Sequence, residues 1–424
     1  MNLRVRPAAH LEGAVSVPPS KSYTHRAVIL ASLAHGTSTI KNPLLSEDTL
    51  ASIEACRKIG AEISVSEKEI KVKGVAGKPK APHEAIDVRN SGTTLRIMTP
   101  VAGLCNKSII LTGDESIRKR PMQPLLEALK QLGVETHSEN GNPPVTVRGP
   151  MKGGRCRIKG DISSQFISGL LIAAPLAEKD TEIEIVTQLK SKPYVDMTLD
   201  IMTKFNGRVE RGNGFCVPGR QMYTSTMYEV EGDYSSAAII LAAAALLDSD
   251  VTVKSLPRES KQGDRRIIDI LRAFGANVQA DADSVTVKGD GDLDGIEVDL
   301  SDNPDLVPPV AVVGCLAKGR TMIKNVGHLR FKESDRLRAM STELRKMNAE
   351  IKAGRDHLEI HGVDALKAAK LHGWSDHRVV MSLAVAALRA DGETVIDTAE
   401  SIPVSFPSFV ETMKEIGADM DLGK

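Results

Sequence analysis

Aromatic side chains are scarce in this sequence of 424 residues, since Phe, Tyr and Trp make up 3% of it and Trp occurs once. Single-stranded nucleic acids bind on stacked aromatic rings, and such a platform is poorly supplied here. Net charge is absent as well, because 55 Lys and Arg residues balance 55 Asp and Glu residues. These absences argue against a nucleic-acid partner and a general anionic-membrane surface, so any polyanion site must be a local cluster.

Long hydrophobic runs and cysteine pairs are missing too. The longest unbroken apolar run is Ala237–Leu247, which is too short to span a bilayer, so we expect no membrane partner. The five cysteines are scattered and form no CxxC pair. This usage is typical of a reduced, cytoplasmic protein without structural zinc.

Familiar nucleotide and metal motifs are also missing. The sequence contains no GxxxxGK[ST], no strand–GxGxxG–helix and no HExxH, so nucleotide triphosphate, dinucleotide and zinc-protease functions lose their main support. Asp290–Gly295 imitates the start of a calcium-binding EF-hand loop, but position 12 of that loop would be Ser301 instead of Glu. We interpret this segment as a turn.

What the sequence does contain is a sixfold internal repeat. A small or polar cluster followed by an apolar run recurs every 70–72 residues, with markers at Ser20, Ser91, Ser163, Ser235, Asp305 and Asp376. A second series, of amphipathic helices that end at turns such as Gly60-Ala61-Glu62, recurs every 68–74 residues. Two series with the same period indicate six copies of one structural unit.

Each copy predicts the order α-β-α-β-β: a capped apolar helix, a strand, an amphipathic helix, and two strands joined by a polar turn. The first helix is apolar nearly all round, as in Phe166–Ala174, so it must be buried on every side. Three such helices can bury one another inside a ring of strands. The predicted fold class is therefore α/β, with six repeated units arranged as a two-domain inside-out barrel.

The repeat breaks at its end, and this break predicts the domain boundaries. The last unit stops with one short strand, Asp419–Leu422, whereas the segment Leu3–Val17 precedes the first helix and could supply the missing strands. We therefore expect one domain over residues 20–230 and a discontinuous second domain over 1–19 and 231–424. Two domains also suit a chain of this length.

Several cations lie at helix starts, where free N–H groups favour anions. Lys21 and Arg26 flank the first buried helix, Arg96 lies one turn into the second, and Arg378 opens the sixth. Any one of them could simply reach from a helix end into solvent, but four at equivalent ends favour an anion-binding cleft. More cations precede amphipathic helices, namely Arg118-Lys119-Arg120, Lys192, Arg330, Lys332 and Arg336. This pattern indicates substrates with more than one anionic group.

Two carboxylates accompany these cations. Asp305 starts an apolar helix and Glu333 lies between Lys332 and Arg336. The simple roles are an N-cap for Asp305 and a capping box or ion pair for Glu333. As a pair among cations, they are also the available general base and general acid.

Seven short motifs resemble those of a known enzyme family. They are Pro19–Arg26, Asn90–Arg96, Arg120–Met122, Ser163–Gln165, Ser191–Tyr194, Lys332–Leu337 and Asp376–Arg378. Together they closely resemble the 5-enolpyruvylshikimate-3-phosphate synthase family (3-phosphoshikimate 1-carboxyvinyltransferases of the shikimate pathway), from about residue 4 to residue 417. The resemblance implies a two-domain inside-out α/β fold, the same architecture that the repeat predicts.

The resemblance also implies a reaction. It is the transfer of the enolpyruvyl group of phosphoenolpyruvate to the 5-hydroxyl of shikimate 3-phosphate, by addition and elimination, with release of phosphate. Neither a metal nor an organic cofactor is implied. We expect these two small molecules as the partners of a cytoplasmic monomer.

The roles of individual residues follow from the motifs that match. The resemblance implies that shikimate 3-phosphate binds mainly to the first domain, at Lys21, Ser22, Arg26, Ser163, Ser164, Gln165 and Ser191. Phosphoenolpyruvate is implied to bind at Lys21, Gly92, Arg120, Arg336 and Arg378, with Gln165 within reach. The catalytic residues that the resemblance implies are Asp305 as the general base with Lys332 beside it, Glu333 as the general acid, and Lys21. The acid and the base are thereby assigned to the second domain.

Two departures and two alternatives accompany this interpretation. This chain has His328 where some family members have Asn, and Val404 where some have a phosphate-contacting Lys.

A related transferase acting on UDP-N-acetylglucosamine uses a loop cysteine as its acid, but Asp114–Pro121 contains none, and Ser instead of Asn follows Lys21. A non-catalytic scaffold that binds polyanions predicts basic residues in every unit, whereas the fourth unit has few near its first helix.

Overall fold

A computed structural model describes residues 1–212 and 214–423, which include every candidate site residue. The α-helices are α1 (Lys21–Leu33), α2 (Glu47–Lys58), α3 (Gly92–Ala102), α4 (Glu115–Arg118), α5 (Gln123–Gln131), α6 (Ser164–Ala173), α7 (Lys192–Lys204), α8 (Tyr234–Leu246), α9 (Ile267–Ala273), α10 (Val307–Leu316), α11 (Arg336–Lys346), α12 (His377–Ala387) and α13 (Phe409–Glu415). Short 3₁₀ turns cover Ala174–Leu176, Gly263–Arg266, Pro304–Leu306, Gly327–Phe331 and Ala399–Val404. Among the described residues, no helix is both long and apolar enough to cross a membrane.

The strands complete the element order. They are β1 (Asn2–Val5), β2 (His10–Ser16), β3 (Thr37–Lys41), β4 (Glu62–Val65), β5 (Glu69–Lys73), β6 (Ile86–Asp87), β7 (Ile109–Thr112), β8 (Glu135–Glu139), β9 (Asn142–Arg148), β10 (Gly154–Ile158), β11 (Thr181–Ile185), β12 (Glu210–Arg211), β13 (Gly214–Val217), β14 (Met227–Glu229), β15 (Asp248–Lys254), β16 (Asn277–Ala280), β17 (Ser284–Asp290), β18 (Glu297–Asp299), β19 (Arg320–Lys324), β20 (Glu350–Ala353), β21 (Leu358–His361), β22 (Lys370–Leu371), β23 (Thr394–Ile396) and β24 (Met420–Gly423).

The chain divides into two compact units, each with its own cluster of buried apolar side chains. The continuous unit is Pro19–Val230, and the discontinuous unit combines Met1–Pro18 with Glu231–Lys424. The continuous unit contains three four-stranded sheets, with the orders β14-β3-β5-β4, β6-β7-β9-β8 and β10-β11-β13-β12. The sheets of the discontinuous unit have the orders β16-β17-β15-β2, β18-β19-β21-β20 and β22-β23-β1-β24.

The sheets contain a short strand that the repeat analysis did not predict. In each sheet, the first strand after a buried helix pairs in parallel with this short strand, as β7 does with β6 and β19 with β18. The repeated unit is therefore β-α-β-α-β-β. Segments of two or three residues such as Ile86–Asp87 carry too little alternation of polar and apolar residues to predict a strand.

The N-terminal segment supplies strands to the discontinuous unit. Strand β1 lies between β23 and β24 and is antiparallel to both, with Leu3 opposite Ile396 on one side and Leu422 on the other. It thereby fills the place that β21 has in its own sheet. Strand β2 runs parallel to β15 over seven residues and provides the leading strand of that sheet, which here is long.

The apolar helices lie inside each unit, as their composition requires. Every residue of α8 is buried, and this helix contacts α10 and α12 as well as strands β15 and β17. In the continuous unit, α3 contacts α6, α2 and α1. A two-domain α/β fold with helices inside the sheets is confirmed.

Side-chain caps begin most of these buried helices. Ser20, Ser91 and Asp376 accept backbone N–H groups at the starts of α1, α3 and α12. In the fourth repeat the cap is Asp233, two residues before the marker Ser235. Asp305 caps no helix with its side chain, because it lies within a 3₁₀ turn before α10. Its carboxylate is thus left for other contacts.

Candidate active site

In the continuous unit, a glycine lets two arginines approach the start of α3. A Cβ atom on Gly92 would lie 2.4 Å from Nη1 of Arg120 and 3.4 Å from Nη1 of Arg96. Both arginine residues are almost fully buried. Nη1 of Arg96 donates to Oε1 of Gln165 at 2.7 Å, and Nε2 of Gln165 donates to Oγ1 of Thr93 at 2.8 Å. The starts of α3 and α6 are therefore joined around two guanidinium groups.

Lys21 belongs to a second group of contacts in this unit. Its Nζ lies 3.0 Å from Oδ2 of Asp48, and His25 Nε2 lies 3.5 Å from the other carboxylate oxygen. Burial opposes ionisation of Asp48, but Lys21 and then His25 more than offset it and hold the pKa of Asp48 well below its usual value. His25 Nδ1 in turn bonds to Oγ of Ser52 at 2.8 Å, which bonds to Thr94 of α3.

Arg26 is fully buried and ties α1 to the start of α7. Its Nε donates to Oγ1 of Thr198 at 2.8 Å, and its two terminal nitrogens donate to the backbone carbonyls of Ser22 and Tyr194. Burial lowers its pKa to about 10. These contacts fix the orientation of Ser22 and of the segment that carries Ser191.

The predicted serine ligands lie at helix starts in the same unit. Ser163 caps α6, with its Oγ accepting the N–H of Gln165 at 3.3 Å. Ser164 follows it and is nearly buried. Ser191 precedes α7 with a φ of 54°, in the left-handed region that few residues other than glycine adopt. Other described residues such as Thr398 share this conformation, so it sets the entry into α7 without marking Ser191 as a functional position.

In the discontinuous unit, three carboxylates converge on one buried guanidinium group. Arg336 Nη1 donates to Oδ1 of Asp305 at 2.6 Å, and Nη2 donates to Oε2 of Glu333 at 3.0 Å. Nε donates to Oδ2 of Asp376 at 2.9 Å. The two predicted acid–base residues are therefore held by one guanidinium group.

The charges of this cluster reinforce one another. Burial opposes the charged form of Arg336, but Asp376, Glu333 and Asp305 offset it and hold its pKa well above the usual value. Burial would likewise raise the pKa of Asp376, yet Arg336 overcomes this and the pKa is lowered. Arg336 thus forms a fully buried ion pair with Asp376 and a partly exposed ion pair with Glu333.

Arg378 lies beside the carboxylate of Asp305. Its Nη2 is 3.7 Å from Oδ2 of Asp305, and its side chain is almost completely buried. Neither Nε nor Nη1 of Arg378 has a hydrogen-bond acceptor among the described residues. Burial opposes its charge, but Asp305 and then Asp233 raise the pKa of Arg378 above the usual value. Arg378 therefore stays charged with donors to spare.

The structure brings some candidate residues together and adds others. Gly92 lies beside Arg120, and Asp305 and Glu333 both bond to Arg336. Asp48 was missed by the sequence analysis, because an acid in the first turn of α2 is what the helix dipole alone favours. Within residues 1–212 and 214–423, no group of three or more His, Cys, Asp or Glu side chains is arranged to hold a metal ion.

Comparison with known proteins identifies the class of protein to which this fold and these residues belong. The chain belongs to the family described as EPSP synthase (3-phosphoshikimate 1-carboxyvinyltransferase), whose model matches residues 5–413. The resemblance stated from the seven motifs is confirmed.

Individual relatives agree with the family. The chain is 50% identical to the 3-phosphoshikimate 1-carboxyvinyltransferase of Methanocaldococcus jannaschii over 99% of both chains. It is 47% identical to the enzyme of the same name from Methanococcus maripaludis, over 99% of this chain and 100% of the relative. Among solved structures, an EPSP synthase from Acinetobacter baumannii matches with a TM-score of 0.84 and 27% identity, over 99% of this chain and 100% of that one.

Proposed function

We propose that this chain transfers the enolpyruvyl group of phosphoenolpyruvate to the 5-hydroxyl of shikimate 3-phosphate and releases phosphate. It is an enzyme of the 3-phosphoshikimate 1-carboxyvinyltransferase class, as its family and its relatives of about 50% identity show. Its place is therefore in the shikimate pathway that leads to aromatic amino acids. Which residues perform the chemistry is the part that we propose.

The observation that carries the proposal is the position of Asp305 and Glu333 on the guanidinium of Arg336. Addition requires that the 5-hydroxyl lose a proton while the methylene carbon of phosphoenolpyruvate gains one. In our proposal, Asp305 takes the hydroxyl proton and Glu333 delivers a proton to the methylene carbon. The hydroxyl oxygen then bonds to the central carbon of phosphoenolpyruvate, which becomes tetrahedral.

Elimination reverses both proton transfers. A proton of the new methyl group returns to Glu333, the double bond re-forms, and the bond from the central carbon to the phosphate oxygen breaks. Asp305 gives up its proton to the departing phosphate. Two carboxyl groups of fixed position are therefore sufficient for both steps, because each is restored to its starting state.

The cations of the cluster bind the anionic groups in this proposal. Arg336 and Arg378, together with Gly92 and Arg120, bind phosphoenolpyruvate, because guanidinium forks match carboxylate and phosphate oxygens. Arg378 supports this role with two buried nitrogens that have no acceptor among the described residues. Lys21 contacts both substrates, and Lys332 assists the base Asp305.

Shikimate 3-phosphate binds mainly to residues of the continuous unit in this proposal. The ligands are Lys21, Ser22, Arg26, Ser163, Ser164, Gln165 and Ser191. The positions of Ser163 and Ser191 support this assignment, because both place hydroxyl groups beside helix starts.

We also propose that the protein acts as a cytoplasmic monomer without nucleic-acid or membrane partners. The five cysteines are free, and four of them are buried, which suits a reducing compartment. The balance of charge supports the absence of polyanion partners. Sedimentation equilibrium at micromolar concentration tests the oligomeric state, and a mass above that of one chain would contradict it.

A phosphate-release assay tests the function itself. With phosphoenolpyruvate and shikimate 3-phosphate together, the protein should release phosphate and form the enolpyruvyl ether, which mass spectrometry detects. With UDP-N-acetylglucosamine in place of shikimate 3-phosphate, release should stay at background. Phosphate release with UDP-N-acetylglucosamine as the acceptor but not with shikimate 3-phosphate would favour the related transferase. No release with either acceptor would contradict an enzymatic function.

A further inference from the structure

A buried carboxyl group that the proposed mechanism does not use lies near Asp305. Asp264 belongs to the 3₁₀ turn Gly263–Arg266 and is 2% exposed. Oγ of Ser235, in the first turn of α8, donates to its Oδ2 at 2.5 Å. The other oxygen, Oδ1, has no hydrogen-bond donor among the described residues. A fully ionised carboxylate with a single neutral donor is poorly stabilised at this depth.

The charged groups around Asp264 are mostly negative. The negative charges of Asp305 and Asp233 disfavour ionisation of Asp264, and the positive charge of Arg378 favours it. The neighbouring cations of its own turn are directed elsewhere. Arg265 donates to a backbone carbonyl and Arg266 donates to the carbonyl of Asp299. Burial, followed by the charge of Asp305, raises the pKa of Asp264 to about 7.

Arg378 connects this carboxyl group to the substrate site. The same three carboxyl groups, Asp305, Asp233 and Asp264, act on its guanidinium. The guanidinium of Arg336, which bonds to Asp305, also acts on Arg378. If all three carboxyl groups were ionised, three negative charges would surround these two cations, and an added anionic ligand would meet a net negative environment. A neutral Asp264 removes one of these negative charges, and it does so at a carboxyl group to which no cation among the described residues bonds directly.

We propose that Asp264 carries its proton in the working protein and is a positioning residue that keeps the charge of Arg378 available to an anionic substrate. This inference rests on the proposed function, in which Arg378 binds phosphoenolpyruvate. Loss of the proton from Asp264 adds a negative charge beside Arg378 and weakens anion binding. Anion binding and protonation of Asp264 therefore favour each other, as linked equilibria must.

The first test measures the protonation of Asp264 and needs no substrate. A carboxyl group whose pKa is higher in the folded protein than in the unfolded chain contributes stability that is fully present below the unfolded value. That contribution is lost as the pH rises through the folded value, here about 7. Thermal midpoints of the native protein and of Asp264→Asn are compared from pH 4 to pH 9. The variant should gain relative to the native protein between pH 4 and pH 7, and the difference should then level off.

Asp269→Asn is the matched control for this comparison, because Asp269 is an exposed residue of the adjacent helix α9. Its difference from the native protein should not change with pH over the same range. A pH-independent difference for Asp264→Asn as well would mean that Asp264 ionises normally, and it would overturn the proposal whatever the enzyme's activity.

The second test measures the effect on substrate binding. Phosphate monoesters lose their second proton near pH 6, so phosphoenolpyruvate is ionised throughout the range from pH 7 to pH 9. Over this range, the KM for phosphoenolpyruvate should rise by about fivefold or more in the native protein, the usual size of coupling between sites. In Asp264→Asn, which mimics the neutral acid, this rise should be largely abolished, while kcat at pH 7 changes little.

Ser235→Ala provides a second variant that favours the neutral form of Asp264, and it covers the case in which Asp264→Asn does not fold. The Ser235 hydroxyl stabilises the ionised form of Asp264, so its removal should move the rise in KM to higher pH. An unchanged pH profile in both variants would overturn the positioning role, even if the stability test had shown a protonated Asp264. A protein without transferase activity would contradict the proposed function and leave the stability test of Asp264 to decide the protonation.

Discussion

At the scale of single residues, the assignment of acid and base depends on two carboxyl groups that share one guanidinium. Asp305 and Glu333 bond to different terminal nitrogens of Arg336. Substituting the amide for either carboxyl group preserves its shape but removes its ability to exchange a proton. Each residue can therefore be tested by a substitution that creates no cavity.

We predict that Asp305→Asn and Glu333→Gln each lower kcat by about 10²–10⁴-fold, the usual contribution of general acid–base catalysis. Thermal midpoints should stay within a few degrees of the native value. Glu350→Gln, an exposed glutamate of β20, is the control and should retain full activity. Turnover above a tenth of the native rate in either variant would remove that residue from its role.

The position of Arg120 beside Gly92 leads us to predict that Arg120 binds phosphoenolpyruvate and not shikimate 3-phosphate. Because a charge-assisted hydrogen bond contributes about 1.5–3 kcal/mol, Arg120→Ala should raise the KM for phosphoenolpyruvate about 10- to 100-fold. The KM for shikimate 3-phosphate should change much less. Arg118→Ala, at an exposed position two residues away, is the control. Equal changes in both Michaelis constants would contradict the division of ligands that we propose.

Gly92→Ala tests the same contact from the glycine side. The new Cβ atom would lie 2.4 Å from Nη1 of Arg120, so the guanidinium group must move. We expect a higher KM for phosphoenolpyruvate with little loss of thermal stability, since the obstructing atom is the end of a flexible side chain. An unchanged KM would show that the position of Arg120 is not critical.

Sequence patterns at this scale indicate which residues are unusual but not what they contact. Cations at helix starts drew attention to Arg336 and Arg378, because a cap needs no positive charge. No pattern indicated that Asp376 bonds to Arg336, since the two lie 40 residues apart and Asp376 also has an ordinary role as an N-cap. Such contacts depend on packing between repeats, which a single repeat does not encode.

At the scale of secondary-structure elements, Asp376 links the start of α12 to the start of α11. Its Oδ1 accepts the N–H of Arg378 at 3.0 Å, and its Oδ2 accepts Nε of Arg336 at 2.9 Å. The Ser334 hydroxyl also donates to it. One buried carboxylate therefore orients the guanidinium group of Arg336 and holds the backbone of Arg378.

We predict that Asp376→Asn destabilises the protein by about 3 kcal/mol, the scale of a broken buried ion pair. The pKa of Asp376 is lowered by Arg336, so its contribution is present above the unfolded value of about 3.9 and is lost as the pH falls through the folded value. The difference between native and variant should therefore shrink below about pH 4. Denaturant midpoints at pH 3 and pH 7 measure it, with exposed Asp364→Asn as the control. A difference that grows in acid would contradict the ion pair.

The elements themselves were largely predictable, because most of the apolar helices carry their own cap and all of them have an apolar composition nearly all round. Strand β6 was not, since two residues show no periodicity, and its pairing with β7 comes from the fold as a whole. In the fourth repeat the cap is Asp233, two residues before the marker Ser235, and it accepts the N–H of Ser236.

At the scale of the whole molecule, the N-terminal strand determines whether the discontinuous unit is complete. Leu3 and Val5 are fully buried within the core of that unit. The sequence indicated this role because the last repeat ended without a partner strand. The exact place of β1, between β23 and β24, required the structure.

We predict that Leu3→Ala destabilises the discontinuous unit by about 2–5 kcal/mol, as expected for a large side chain removed from a core. Hydrogen exchange should accelerate in β23 and β24 and stay unchanged in β7 and β9 of the continuous unit. Leu422→Ala, at a position that is 46% exposed, should change little. Uniform acceleration in both units would mean that they do not have independent cores.

The most direct test of the proposed chemistry follows a proton to carbon. In heavy water with both substrates, the native protein should place solvent deuterium in the methylene group of the enolpyruvyl product, because a carboxyl group that exchanges with solvent protonates that carbon. Glu333→Gln should lose this incorporation under conditions of equal substrate binding, and mass spectrometry of the product and of recovered phosphoenolpyruvate measures it. Incorporation in Glu333→Gln at the native rate per turnover would contradict Glu333 as the acid, and product free of deuterium from the native protein would contradict addition–elimination itself.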